Sequence, residues 1–491
     1  MSGPTHRVLR NARLGGEPVD ILIQDGEIVE IGHAVDCTAE EVHLDGRTVI
    51  PGLWDEHTHF SQWALRSRRA DVSGAASARE AARIVSNALA SATPLPLDER
   101  GRPLPFVGNG FRDALWSDAP NLADLDDAGA GAPIVLISAD LHSVWLNTSA
   151  LELFGHSGHE TGLLREEPAF EVQRRVNSVP DAVLDEWVDA AAREAAARGV
   201  VGIVDFEMTW NLEPWSRRMA GGFDALRVDF GIYTQDLDRA IDLGLRSGRR
   251  IGELLTVGSY KVITDGSLGT RTAYCFDEYP GLEGLPGARG LLTVAPSELE
   301  PLLRRASDAG ITPAVHAIGD HANALVLDVF EAVGVTGRIE HAQLLTPGDV
   351  ERFGRLGIVA SVQPEHAMDD RDIADRYWVG RTDRAFLLRS LLDAGARLLL
   401  GSDAPVAPLD PWVTMAAAVG RARDGREPWH PEQSLTVAQA LDASVRSSVA
   451  PGQPADLVVL DVDPFGVSAE ELRRMPVAGT LLGGRWTHRA F

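Results

Sequence analysis

The chain of 491 residues contains one lysine, Lys261, and every other long basic side chain is arginine. A guanidinium stays protonated, whereas an amine can lose its proton. Once neutral, an amine can be a nucleophile, form a Schiff base, or take up CO2 as a carbamate, an anionic oxygen ligand for metal ions. Lys261 lies in the run VGSYKVITDGSLGTRT, an apolar alternation leading into a Gly-rich turn, as at a strand end followed by a functional loop. His57 and His59 sit two apart in DEHTHF, and period-two geometry points both imidazoles to one strand face, where they can chelate a single ion.

These side chains must be positioned by the elements around them. The middle of the chain alternates short apolar runs with Ala/Arg/Glu/Leu-rich helical stretches such as AVLDEWVDAAAREAAARG. Strands are expected to end at TVIPGLWDEHTHF, VVGIVDFE, LRVDFGIY, GSYKVITDGS, ITPAVHAIGD, GRIEHAQ, GIVASVQPEH and RLLLGSDAPV. Eight such units are the signature of an α/β chain folded as a (β/α)8 TIM barrel. The first fifty residues alternate apolar and polar, with Asp25-Gly26 and Asp45-Gly46 turns, and the same texture returns in PADLVVLDVDPFG and VAGTLLGGRWTHRAF. Residues 1–50 and 451–491 are therefore expected to form one discontinuous β-sandwich domain beside a barrel over 51–450. A long excursion at about 67–159 follows barrel strand 1 and reads as an insertion subdomain or lid.

Active sites of such barrels lie at the C-terminal ends of the strands. There the sequence offers His57 and His59 from the first strand, Lys261 from the fourth, His316 from the fifth, His341 from the sixth and Asp403 from the eighth. Imidazole and carboxylate suit Zn2+ better than hard all-oxygen cages do. A carbamate on Lys261 can bridge two ions, and the water between them has its pKa lowered towards 7. Asp403 can take that water's proton and pass it to a leaving nitrogen, giving hydrolysis of an amide-like C–N bond.

The strings PGLWDEHTHF, KVITDGSLGTRTA, HAIGDHAN, RIEHAQLL, SVQPEHAMDD and LGSDAPVAPLDPW resemble the amidohydrolase superfamily, and within it the amidohydrolase 3 branch that includes N-substituted formamide deformylases. The resemblance covers nearly the whole chain and is specific for the branch, not for a substrate. It implies a metal centre on His57, His59, Lys261, His316, His341 and Asp403, with Asp403 as proton shuttle. Members differ in whether the strand-four lysine is carboxylated and whether one zinc ion or two bind, and the lone lysine favours the carboxylated, two-ion form. The resemblance also makes a homodimer the expected assembly.

Substrate contacts are expected from residues flanking these ligands. Arg271 can bind a substrate carboxylate or carbonyl, or pair with Asp265 to shape the loop. Asp320 caps the following helix or orients His316. Gln363 and His366 fall at the seventh strand end. Asp113, Trp116, His142 and Trp145 on the insertion are candidates for a pocket roof. Glu340 is expected to point away from its neighbour His341 and to serve structure.

Composition bounds the remaining possibilities. The formal charge of −25 argues against nucleic-acid and anionic-membrane partners and leaves a small-molecule substrate. No signal-like or membrane-spanning apolar run is present, so a cytosolic location is expected. Cys37 and Cys275 lie far apart and give no thiolate zinc pattern. A single-metal deaminase has no need of the strand-four lysine. A non-catalytic barrel has no need of six ligands, and a Schiff-base lyase leaves the histidines and Asp403 idle.

Overall fold

The computed structural model describes residues 6–35, 38–91, 95–98, 100–113, 116–138 and 143–491. Cys37 and the expected pocket residue His142 fall outside these residues.

Eight parallel strands pair in chain order: Leu53–Thr58, Val200–Asp205, Arg227–Tyr233, Leu255–Ile263, Pro313–Ala317, Arg338–His341, Val359–Val362 and Leu398–Leu400. All eight coincide with the expected runs. The first, second, sixth and eighth are buried along their full length, as parallel strands covered on both faces must be. A parallel bridge between Thr58 and Ala404 brings the eighth strand end to the first. Gly401 permits this approach, because a Cβ there would come within 2.7 Å of the His57 amide nitrogen. Proline opens the helices Pro296–Asp308, Pro347–Leu356, Pro364–Tyr377 and Pro411–Gly420, where its missing N–H is not needed.

The two chain ends join in one eight-stranded sheet. Its main order is Arg485–Arg489, Val477–Leu482, Leu457–Leu460, Thr48–Pro51, His6–Leu14, Glu17–Gln24 and Glu27–Gly32, with Glu40–His43 alongside His6–Leu14. Asp25-Gly26 and Asp45-Gly46 both have positive φ, the backbone that tight Asp-Gly turns require. The run TVIPGLWDEHT divides at Gly52: its first half belongs to this sheet and its second to the barrel.

Residues Met1–Phe60 and Ala192–Phe491 form one compact unit and Ser61–Ala191 a second, a longer stretch than the expected insertion. The second unit has its own five-stranded sheet, in the order Leu163–Arg165, Ser143–Leu146, Ile134–Ser138, Phe106–Phe111 and Ala70–Asp71, and its own apolar core. Among the described residues, no helix is long and apolar enough to cross a membrane.

Candidate metal centre

The barrel's closure builds the centre. Asp403 donates its backbone N–H to the His57 carbonyl at 2.7 Å, and His59 donates to the Ala404 carbonyl at 2.7 Å. Beneath them the buried Asp55 carboxylate accepts the Ser402 and His57 amides at 2.9 and 3.2 Å. Burial pushes the Asp55 carboxyl up to about 7. The outcome is that Asp403 Oδ1 lies 3.5 Å from His57 Nε2 and 3.4 Å from His59 Nε2.

His341 joins from the sixth strand. His57, His341 and Asp403 are all buried, and each offers a ligand atom within 4.8 Å of the others. The His316 ring lies 4.4 Å from that of His341, centroid to centroid. Lys261 is only 2% exposed, and its ammonium sits 4.6 Å from the centroid of Phe206, whose ring also meets the edge of His57 at 4.9 Å. Phe206 thus forms a common wall for the lysine and the first-strand histidine. His341 and Asp403 have φ of 75° and 58°, left-handed backbone that non-glycine residues adopt at an energetic cost and that clusters at functional sites.

The local electrostatics suit a cation. Burial, reinforced by Lys261, pushes His57 down to about 4, and burial with the neighbouring histidines takes His341 well below its ordinary value. Both rings are neutral at pH 7, with lone pairs to give. Burial opposes ionisation of Asp403, yet His57, His59 and His366 hold its carboxyl far below the usual range. His59 is likewise disfavoured as a cation by burial, but the Asp403 carboxylate prevails and raises it. Burial pushes the Lys261 amine down to about 8. His59 Nδ1, Lys261 Nζ, His341 Nδ1 and His366 Nε2 are buried without hydrogen-bond partners among the described residues. Orphaned buried polar atoms are costly, and a donor set of imidazoles and carboxylate turned inward fits a divalent ion.

Glu340 departs from expectation. The left-handed φ at His341 breaks the strand alternation, so Glu340 and His341 both face inward. Glu340 Oε2 accepts from His57 Nδ1 at 2.6 Å, which leaves the His57 Nε2 lone pair directed at the centre. A buried chain of charges runs on from it. Arg338 pairs with Glu340 and donates to Ser361 Oγ at 2.6 Å and Glu56 Oε2 at 3.2 Å. Arg446 then bonds both oxygens of Glu56, at 2.6 and 2.7 Å, and Asp229 at 2.6 Å.

The expected substrate residues divide into groups. His366 is drawn into the centre: its Nε2 is 3.7 Å from Asp403 Oδ2 and its ring stacks on His341 at 6.0 Å. Gln363 is also there, with its amide nitrogen 3.5 Å from His57 Nδ1. Asp265 is 1% exposed, and its carboxylate accepts the amides of Tyr274, Ile318 and Gly319 while lying 3.4 Å from His316 Nε2. It therefore ties the loop after strand four to that after strand five and holds His316. Arg271 does not pair with it, and its guanidinium lies 5.3 Å from the Tyr377 ring centroid. Asp320 is not the helix cap. Gly319 occupies the cap, and Asp320 is wholly buried between the Phe276 amide at 3.0 Å and Arg384 at 3.3 Å. On the insertion, Asp113 pairs with Arg165 at 2.9 Å, Trp116 donates to the Ala75 carbonyl at 2.8 Å, and Trp145 is fully buried in that unit's core.

A (β/α)8 barrel with histidines and an aspartate converging at its strand ends defines the class as a metal-dependent hydrolase barrel. The chain belongs to the amidohydrolase family, whose sequence model matches residues 40–488. It is 29% identical to Protein LONG AFTER FAR-RED 3 of Arabidopsis thaliana, over 94% of this chain and 87% of that protein. It is 27% identical to the N-substituted formamide deformylase of Arthrobacter pascens, over 94% of each. Among solved structures, a metal-dependent hydrolase of Pyrococcus horikoshii superposes with a TM-score of 0.78 at 25% identity, over 95% of this chain and 99% of that one.

Proposed function

We propose that the protein hydrolyses a C–N bond, in an amide, formamide or imide-like group of a small molecule, at a zinc centre held by His57, His59, His316, His341, Asp403 and a carboxylated Lys261. The observation that carries this reading is the approach of His57 Nε2 and His59 Nε2 to one oxygen of Asp403, with His341 within the same small sphere. A divalent ion bound there supplies Lewis acidity towards a carbonyl oxygen and makes water a better acid.

The chain's own groups do the rest. Glu340 fixes the His57 tautomer. Asp403, ionised and facing three imidazoles, takes the proton of the water that adds to the carbonyl carbon and returns it to the nitrogen as the C–N bond breaks. An amine pushed down to about 8 has a substantial neutral fraction near physiological pH. That fraction can add to CO2, forming an N–C bond with loss of one proton, and the resulting carbamate favours two ions per chain over one. Likeness to a formamide deformylase over 94% of both chains supports N-formyl and N-acyl amines as the first substrates to assay. Metal analysis combined with such a screen tests the reading. About one to two zinc ions per chain and a metal-dependent release of amine are expected, whereas full activity after complete metal removal contradicts it.

A further inference from the structure

The insertion unit contains a cavity of about 450 Å3, within the range of small-molecule sites. Its apolar lining includes Leu104, Phe106, Val107, Val176 and Trp187. Arg68, Arg69 and Arg175 also line it, and no Asp or Glu does among the described residues. That charge pattern is unusual in a chain with 71 acidic residues against 46 basic ones. Several other half-buried arginines here do have carboxylate partners, as Arg10 has Asp20 at 2.7 Å and Arg227 has Asp456 at 2.7 Å.

Arg175 is committed to the Phe154 and Leu153 carbonyls, at 3.1 and 3.0 Å, and stacks on the Phe154 ring. Arg69 is half-buried, and the one hydrogen bond of its guanidinium among the described residues goes to the Asn177 side chain, a neutral acceptor. Burial and the nearby Arg66 push its guanidinium down to about 10, so it remains a cation without a counter-charge. A neutral apolar ligand leaves that charge unpaired, and an inorganic anion leaves the apolar walls wet.

We propose that this cavity binds a small amphipathic carboxylate, with its hydrocarbon chain against Phe106, Val107, Val176 and Trp187 and its head group on Arg69. The planar guanidinium fork matches a carboxylate. This site shares no residue with the metal centre and does not depend on the activity proposed above.

Titration calorimetry of the full chain with octanoate tests it, with metal present and after chelation, so that the outcome is independent of hydrolysis. Saturable binding of one octanoate per chain is expected, tightening about fourfold per methylene from butanoate to octanoate. Octanol, and octanoate with Arg69→Met protein, should each bind about tenfold or more weakly. Val107→Trp should fill the cavity and abolish binding. Equal affinity for octanol and octanoate on the unaltered chain overturns the proposal, as does undiminished octanoate binding by folded Arg69→Met. The comparison with octanol needs no variant, so it decides even if a substitution prevents folding.

Discussion

Glu340 lies 2.6 Å from His57 Nδ1 and is itself anchored by Arg338. The sixth strand thereby sets which nitrogen of a first-strand histidine faces the centre. A carboxylate behind a histidine fixes its tautomer and raises its basicity as a ligand. The arrangement links the barrel's buried charge chain to its candidate metal centre.

Glu340→Gln keeps the shape of the side chain but weakens the hydrogen bond to His57 and leaves Arg338 with less compensation. Metal affinity is expected to fall about 10- to 100-fold. Chelator competition on the metal-free protein reads this directly, and unchanged affinity would count against the positioning role.

Lys261 discriminates between a bridging carbamate and a free amine. Lys261→Ala should lower turnover by more than about a hundredfold, beyond the effect expected for an outer-shell partner. Acetate or propionate should restore part of it by occupying the place of the missing carboxylate. Failure of every short acid to rescue a folded, metal-loaded variant would favour the free amine and a single ion.

Much of this site was legible from residue type and spacing. A lone lysine, a His-x-His pair and single ligands at successive strand ends survive reading without coordinates, because parallel barrel strands send their C-terminal ends to one face. Glu340 was misread because strand alternation assumes extended backbone, and the chain turns left-handed at His341. Asp320 was misread because its carboxylate meets partners from other loops at Phe276 and Arg384. Glu56, Arg338 and Arg446 carry no local motif: each resembles an ordinary surface charge until the fold brings them together across 390 residues.

The Glu56 cluster makes a pH-dependent prediction. Burial alone would raise the Glu56 carboxyl, but Arg446 and Arg338 outweigh it and hold the value below that of a free glutamate. Its contribution to stability is therefore complete above the unfolded value of about 4.3 and lost as pH falls through the lower folded value. Glu56→Gln should destabilise the protein by about 3–5 kcal/mol at pH 7, the penalty for breaking a buried pair. Thermal melts of both proteins should keep a constant separation from pH 7 down to about 5 and converge below about 4.3. A separation that closes already at neutral pH contradicts the assignment.

Metal affinity should itself report the protonation states of the centre. His57, pushed down to about 4, and His341, lower than usual, are already neutral at physiological pH and release no proton when an ion binds. His59 is raised above 6.5 by Asp403 and must give up its proton, so metal and proton compete there. Affinity measured by chelator competition should thus fall about tenfold per pH unit once the pH drops below the His59 value. If loading converts the Lys261 ammonium to a carbamate, two protons leave per CO2 added, so affinity should fall further as the pH drops below about 8. A profile flat from pH 8.5 to 6 would mean that neither His59 nor Lys261 exchanges a proton for the ion. In that case the centre would have to be assigned without His59 and Lys261.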